Sequence, residues 1–287
     1  MGKIKTVAII GVGLIGGSLG MALKKSRAVG KVIGIGRNPE KLKKAKQLKA
    51  IDEFATDFRA GVKDADLVVI CTPVGLIAPT LNRILPALRK GCIVTDVGSV
   101  KAPVVETAEK ILQAKKIHFI GGHPMAGSEQ AGVSNAQSNL FKNAVWILTP
   151  GSHTSLKEIS LLHHLFSLTG AKIILLDPRK HDQIVSVTSH LPHLLAASLV
   201  NYLAAQNRKN KNTIALTAGG FRDMTRIASS SPEIWTDISL MNKQEIIKAL
   251  TAFSRMTDRM INALRSSKRK QVFNLFAQAK QTRDRMI

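Results

Sequence analysis

The sequence predicts an α/β fold in which a doubly wound sheet is followed by an all-helical domain, and three observations carry that prediction. The first is Gly11-Val12-Gly13-Leu14-Ile15-Gly16, set directly after the β-branched run Thr6-Val7-Ala8-Ile9-Ile10. The second is the alternation that follows, in which short apolar runs of strand type are separated by helical patterns as far as Leu176. The third is where it stops: from Asp177 strand-like runs cease, and helical periodicity continues to the C-terminus. The expected architecture is therefore an N-terminal Rossmann-type doubly wound sheet over residues 1–176 and a C-terminal all-helical domain over residues 177–287.

The first strand, turn and helix start have the G-x-G-x-x-G spacing that suits a dinucleotide. Gly11 makes the turn, Gly13 lets the backbone approach a pyrophosphate, and Gly16 packs the helix on the strand. Leu14 and Ile15 lie where unpaired N–H groups at the helix start would receive the phosphates. A helix over Ser18 to Lys25 and a strand over Lys31 to Gly36 complete a βαβ unit. NAD-binding proteins usually carry Asp or Glu at the end of this second strand, whereas here stand Gly36-Arg37-Asn38; the missing carboxylate and added guanidinium favour NADP over NAD.

Pro39 opens a helix running to about Leu48, and a short third strand is expected around Phe54. Asp66-Leu67-Val68-Val69-Ile70-Cys71-Thr72-Pro73 is a continuous apolar strand of the buried parallel kind, stopped by Pro73. A helix over Leu76 to Arg89, a strand over Cys92 to Asp96, a helix over Ala102 to Ala114 and a strand over Ile117 to Ile120 continue the alternation. Ligands of such sheets gather at the carboxyl ends of the strands. Thr72-Pro73, Gly98-Ser99-Val100-Lys101 and Gly121-Gly122-His123-Pro124 should therefore open on one crevice, with Thr72 and Pro73 on the cofactor side. Val145 to Leu148, a helix over Leu156 to Leu168 and Lys172 to Leu176 finish the alternating region.

In the helical part, Ile184 to Ala205 reads as a long apolar helix kinked by Pro192, Gly219-Gly220-Phe221 as a break, and Ser231-Pro232-Glu233 as a helix start. Ile246 to Leu264 and Val272 to Ala279 are amphipathic helices, and that much apolar face leads us to expect a homodimer. With 42 Lys+Arg against 19 Asp+Glu, the formal charge is +23. One Tyr, no nucleic-acid motif and cations scattered over the whole chain argue against nucleic acid and for small anionic ligands. No apolar run approaches the roughly 20 residues of a membrane span, and Met1-Gly2-Lys3 leads straight into a strand, so a cytoplasmic location is expected. Cys71 and Cys92 lie in apolar strands and read as small hydrophobes; no metal site is expected.

Among the histidines, His123 at a strand end is the candidate general base, because a neutral imidazole is matched to taking a hydroxyl proton. His118 falls at the wrong end of that strand, and His153, His163 and His164 belong to no motif. Ser189-His190-Leu191-Pro192-His193 places two histidines around the kink, of which His190 reads as a packing residue. Arg222 and Arg226, at i and i+4 with Asp223 alongside, suit bidentate carboxylate binding.

Taken in order, Gly11-Val-Gly-Leu-Ile-Gly-Gly-Ser, Asp96-Val-Gly-Ser-Val-Lys101, His123-Pro-Met-Ala-Gly-Ser-Glu129, Ser189-His-Leu-Pro-His193 and Phe221-Arg-Asp-Met-Thr-Arg226 resemble the prephenate/arogenate dehydrogenase family over nearly the whole chain. The resemblance implies oxidative decarboxylation of a dicarboxylate in tyrosine biosynthesis, with hydride transfer to NAD(P). It implies His123 as the hydroxyl-binding base and Ser99 as the partner that orients hydroxyl and nicotinamide. It also implies Arg226 on a substrate carboxylate, His193 and Ser189 near the side chain, Glu129 as a gating acid and Trp235 as an aromatic wall. The chain ends soon after the helical domain, so no appended regulatory or mutase domain is expected.

Overall fold

The computed structural model describes residues 4–286 apart from Glu129. It divides into two compact units, Met1–Asn242 and Lys243–Ile287. The first is built on one sheet of β1 (Thr6–Ile10), β2 (Lys31–Ile35), β3 (Glu53–Ala55), β4 (Leu67–Ile70), β5 (Ile93–Asp96), β6 (Phe119–Pro124), β7 (Val145–Pro150) and β8 (Lys172–Leu175). Their order is β3-β2-β1-β4-β5-β6-β7-β8, so the direction of winding reverses between β1 and β4. That reversal puts a crevice at the carboxyl ends of these two strands, next to Gly11.

The helices of this unit are α1 (Leu14–Lys25), α2 (Pro39–Gln47), α3 (Phe58–Val62), α4 (Ile77–Ile84), α5 (Ala102–Leu112), α6 (Leu156–Ser167), α7 (Pro178–Val185), α8 (Leu191–Lys209), α9 (Gly219–Thr225) and α10 (Pro232–Met241). Several start where the sequence supplies a cap. Asn38 accepts from the Lys41 N–H ahead of Pro39, Asp177 accepts from Arg179 and Lys180, and Ser155 and Glu158 close a reciprocal capping box. Each such cap contributes on the order of 1 kcal/mol.

Alternate residues of the central strands feed two cores, one on each face of the sheet. Val7 and Ile9 join Leu19, Leu23 and Trp146, whereas Ala8 and Ile10 join Ile77, Leu81 and Val104. Both faces being covered explains why these strands are unbroken apolar runs.

The structure adds three features to this outline. β7 runs antiparallel to β6, with His123 opposite Ile147, so the doubly wound sheet is mixed. Beyond β6, residues 132–137 fold onto α1: the Gln137 N–H donates to Ser18 Oγ at 2.9 Å. Next, Ile238 of α10 is buried in the same core as Val94 and Val104, so α10 packs with the sheet-bearing unit. Finally, Gly219-Gly220 opens α9 instead of interrupting a helix.

The kink expected at Pro192 is a π turn over Ser186–His190, between α7 and α8. Pro192 is the second residue of α8 and has no N–H to donate, and the widened turn accommodates that loss. In the second unit, α11 (Lys243–Arg265) and α12 (Arg269–Asp284) pack on each other, and Phe253, Met256, Leu264, Phe273 and Phe276 remain exposed.

Candidate active site

The glycine motif lines a cleft of about 670 Å³ at the crevice between β1 and β4. Each glycine has a distinct physical reason. Gly11 has φ +92, and a Cβ there would lie 2.7 Å from the Cys71 carbonyl. A Cβ on Gly16 would run into the Gly11 carbonyl, so Gly16 is a packing residue behind the cleft. Gly13 faces open space, as close approach of a ligand to the backbone requires.

Gly11, Gly13, Gly36, Arg37, Thr72 and Pro73 all line this cleft, and Leu14 and Ile15 form the first turn of α1 beside it. Thr72 Oγ1 is buried there without a hydrogen-bond partner among the described residues, a polar group that a bound ligand could satisfy. Sequence reasoning missed one wall, Gly132-Val133-Ser134, because it is contributed by the long β6–β7 connection. It also left out Lys41, Lys44 and Arg83, which make the cleft's far end cationic together with Arg37.

At the carboxyl ends of β5 and β6 lies a fully buried polar cluster. The Asp96 carboxylate pairs with the Lys101 ammonium and accepts the N–H groups of Gly98, at 2.8 Å, and Gly122, at 3.0 Å. Lys101 Nζ also donates to the Gly122 carbonyl at 2.8 Å. This bolts the loop bearing Ser99 to the strand bearing His123. His123 is 7% exposed. Its pKa lies well below the ordinary histidine value, first because of burial and then because of His181, Lys101 and His190 nearby. It is therefore neutral at pH 7, as a base must be. Its Nδ1 lies 2.8 Å from Nε2 of His181, a residue outside the motifs read from the sequence.

The helical side brings the other predicted residues together. His193 stacks on Trp235 with ring centroids 3.7 Å apart, and its Nδ1 donates to the Ser189 carbonyl at 2.9 Å. Burial lowers the His193 pKa, the Ser189 carbonyl opposes that, and the Arg226 guanidinium adds to it, which places Arg226 near this ring. α9 closes at Thr225, and Arg226 opens a 3-10 turn, so Arg222 and Arg226 do not sit on successive turns of one α-helix as expected. Glu129 lies outside the described residues. His118 bonds Glu158 instead of facing the crevice, and His153, His163 and His164 are exposed.

His190 packs the kink, as its sequence context suggests. It is fully buried, its Nδ1 lies 3.2 Å from Asn242 Nδ2, and its Nε2 has no hydrogen-bond partner among the described residues. Burial is the main reason its pKa falls to about 4. In the unfolded chain this group takes a proton below about pH 6.5, whereas the folded state resists until about pH 4. The unfolded state thus binds more protons in that window, and stability must fall as pH falls through it. From His190 alone the expected loss on going from pH 7 to pH 4 is about 3 kcal/mol. Urea unfolding of the wild type and His190→Gln at pH 7 and pH 5, an interval that holds about 2 kcal/mol of this loss, measures it; the same pH dependence in both would show that the ring is not held neutral.

Comparison with known proteins gives this geometry a family. The nucleotide-binding domain model of prephenate dehydrogenase matches residues 19–175, and its dimerization domain model matches residues 177–278. The chain belongs to the prephenate dehydrogenase family. It is 40% identical over 284 residues to prephenate dehydrogenase of Bacillus subtilis, covering 97% of this chain and 75% of the relative. Among solved structures of the family, the prephenate dehydrogenase of A. aeolicus, in complex with hydroxyphenyl propionate and NAD+, superposes with a TM-score of 0.93 at 32% identity over 99% of both chains. Synechocystis arogenate dehydrogenase matches with a TM-score of 0.84 at 33% identity, over 98% of this chain and 100% of that one.

Proposed function

We propose that this chain oxidises prephenate with loss of CO2, giving 4-hydroxyphenylpyruvate for tyrosine biosynthesis, and that it works in the cytoplasm as a homodimer. The observation that carries the reading is His123, a neutral buried imidazole at the end of β6 whose Nδ1 is already bonded, so that Nε2 is left for a substrate hydroxyl. Family membership supplies the reaction class. The exposed apolar side chains of α11 and α12 support the dimer. The division of labour proposed from the sequence keeps cofactor binding in residues 1–176 and assigns substrate binding and dimer contacts to residues 177–287.

The cleft beside Gly13, with its open backbone and unsatisfied Thr72 hydroxyl, suits a dinucleotide, and when bound such a cofactor supplies the hydride acceptor. His123 removes the ring hydroxyl proton, and the hydrogen on the same carbon leaves as hydride. The resulting carbonyl takes up the electron pair released when the ring carboxylate departs as CO2, and the ring becomes aromatic. Ser99 orients the hydroxyl and Arg226 holds a carboxylate. Arg37, Lys41 and Lys44 at the far end of the cleft favour the extra phosphate of NADP, in a position without the acid that selects NAD.

L-arogenate is the second reading, on one specific observation. His193 donates from Nδ1 to Ser189, so a neutral ring presents only an acceptor at Nε2, which suits an ammonium better than a keto group. Steady-state assays of prephenate and L-arogenate, each with NAD and NADP, decide among these. Reduced cofactor with prephenate and NADP is the expected leading result, and no turnover of either substrate would overturn the function. For Arg226→Ala, loss of a charge-assisted bond of roughly 1.5–3 kcal/mol should raise the substrate KM by about 10-fold or more while kcat changes less. An unchanged KM would remove Arg226 from the carboxylate.

A further inference from the structure

We propose that His181 and Asp182 form a relay that fixes the tautomer of His123, with His181 as a positioning residue for the reaction. The proposal rests on the reading of His123 as the base and adds what sets its state. Three groups lie in line. Asp182 Oδ1 is 2.8 Å from His181 Nδ1, and His181 Nε2 is 2.8 Å from His123 Nδ1.

The protons follow from elimination. The Asp182 carboxylate can only accept, and its oxygens already take the backbone N–H groups of Lys101 and Ala102 at 2.8 Å each, at the start of α5. His181 must therefore donate from Nδ1, and as a neutral ring it then offers a lone pair at Nε2. His123 must in turn donate from Nδ1, which leaves the lone pair on Nε2. The base atom is thereby specified by a carboxylate two residues along the chain of bonds. When Nε2 takes the hydroxyl proton, the new positive charge is shared along the same bonds toward Asp182.

Burial fits this role. His181 is fully buried and Asp182 is 3% exposed, so the line cannot exchange its partners with water. The rings of His123 and His181 meet edge to face with centroids 5.1 Å apart, which keeps the two nitrogens in register. The charged and titratable groups facing this pair are Lys101 and Asp96 from the β5 side and His190 from the π turn. Lys101 disfavours a proton on either ring, and among the described residues Asp182 and Asp96 are what favour one on His181; burial outweighs them, so the relay is neutral at rest. Asp182 also spans from α7 to α5, which places the relay's anchor on two helices at once.

The test reads the tautomer directly and then its kinetic weight. In the cofactor-free protein labelled with 15N-histidine, His123 is assigned by its disappearance in His123→Asn. It should show a protonated Nδ1 and an unprotonated Nε2 at pH 7. His181→Phe keeps ring volume and leaves the Asp182 cap in place but removes the acceptor. Nε2 of His123 should then become protonated, and kcat should fall roughly 10–100-fold, the size seen when a partner orienting a functional histidine is lost, with substrate KM and cofactor Kd little changed.

His181→Gln, whose side-chain oxygen can accept from His123 Nδ1–H, should restore the Nδ1–H tautomer and much of the rate; it also serves if the Phe variant does not fold. A wild-type His123 protonated at Nε2, or a correctly folded Phe variant with unchanged kcat, would overturn the relay. Absence of turnover in the wild type would instead sink the functional reading, while the NMR result would still decide the relay.

Discussion

Replacing His123 with asparagine is expected to lower turnover by roughly 10²–10⁴-fold while cofactor binding survives. The size follows from the chemistry. An amide cannot take the hydroxyl proton as hydride leaves, so that proton must go to water in a site from which water is largely excluded. Cofactor binding should survive because His123 is not among the residues lining the glycine cleft, and because asparagine can still donate one hydrogen bond toward His181. The pH profile adds a second check. With the His123 pKa held well below 6.5, the acid limb of kcat/KM should lie below that value, and activity should fall only as pH drops through it. Turnover of the variant within a few-fold of wild type would remove His123 from the chemistry.

The second large effect is structural. Lys101→Met should cost about 3–5 kcal/mol of folding stability, because it strands a buried carboxylate whose countercharge is gone. Asp96 keeps the N–H groups of Gly98 and Gly122, which pulls the expectation toward the lower end of that range. The Gly122 carbonyl, however, loses its donor as well. Against a total stability of about 5–15 kcal/mol this is a large fraction. Denaturant unfolding of Lys101→Met, Asp96→Asn and the double variant measures it. The double variant should recover part of the loss, since no unpaired charge then remains. A single-variant loss under about 1 kcal/mol would show that the pair is not held away from solvent.

The glycine turn and the strand end that carries His123 were readable from local patterns. Gly11, Gly13 and Gly16 were legible because their spacing reflects one turn; the folded chain constrains Gly11 and Gly16 sterically, whereas Gly13 opens on the cleft. His123 was legible from its place at the end of an apolar run, and β6 does carry it. The stacking of His193 on Trp235 was not: the two residues are 42 positions apart and belong to different helices, although the resemblance had placed both near the substrate. His181 and Asp182 gave no signal either. In sequence they are two polar residues early in a capped helix, and only the packing of α7 against α5 turns them inward.

The sequence by itself determined the α/β class, the dinucleotide turn, the candidate base and the family, because hydrophobic period, glycine spacing and motif order are all local properties of a chain. The tertiary structure decided the reversal of β7, the extent of the sheet-bearing unit to Asn242, the Asp96–Lys101 bolt and the line from Asp182 through His181 to His123. Each of these joins groups distant in sequence or depends on how an element is packed. Burial, which removes water as the competing partner, then makes a hydrogen bond decide a tautomer and a neighbouring charge decide a pKa.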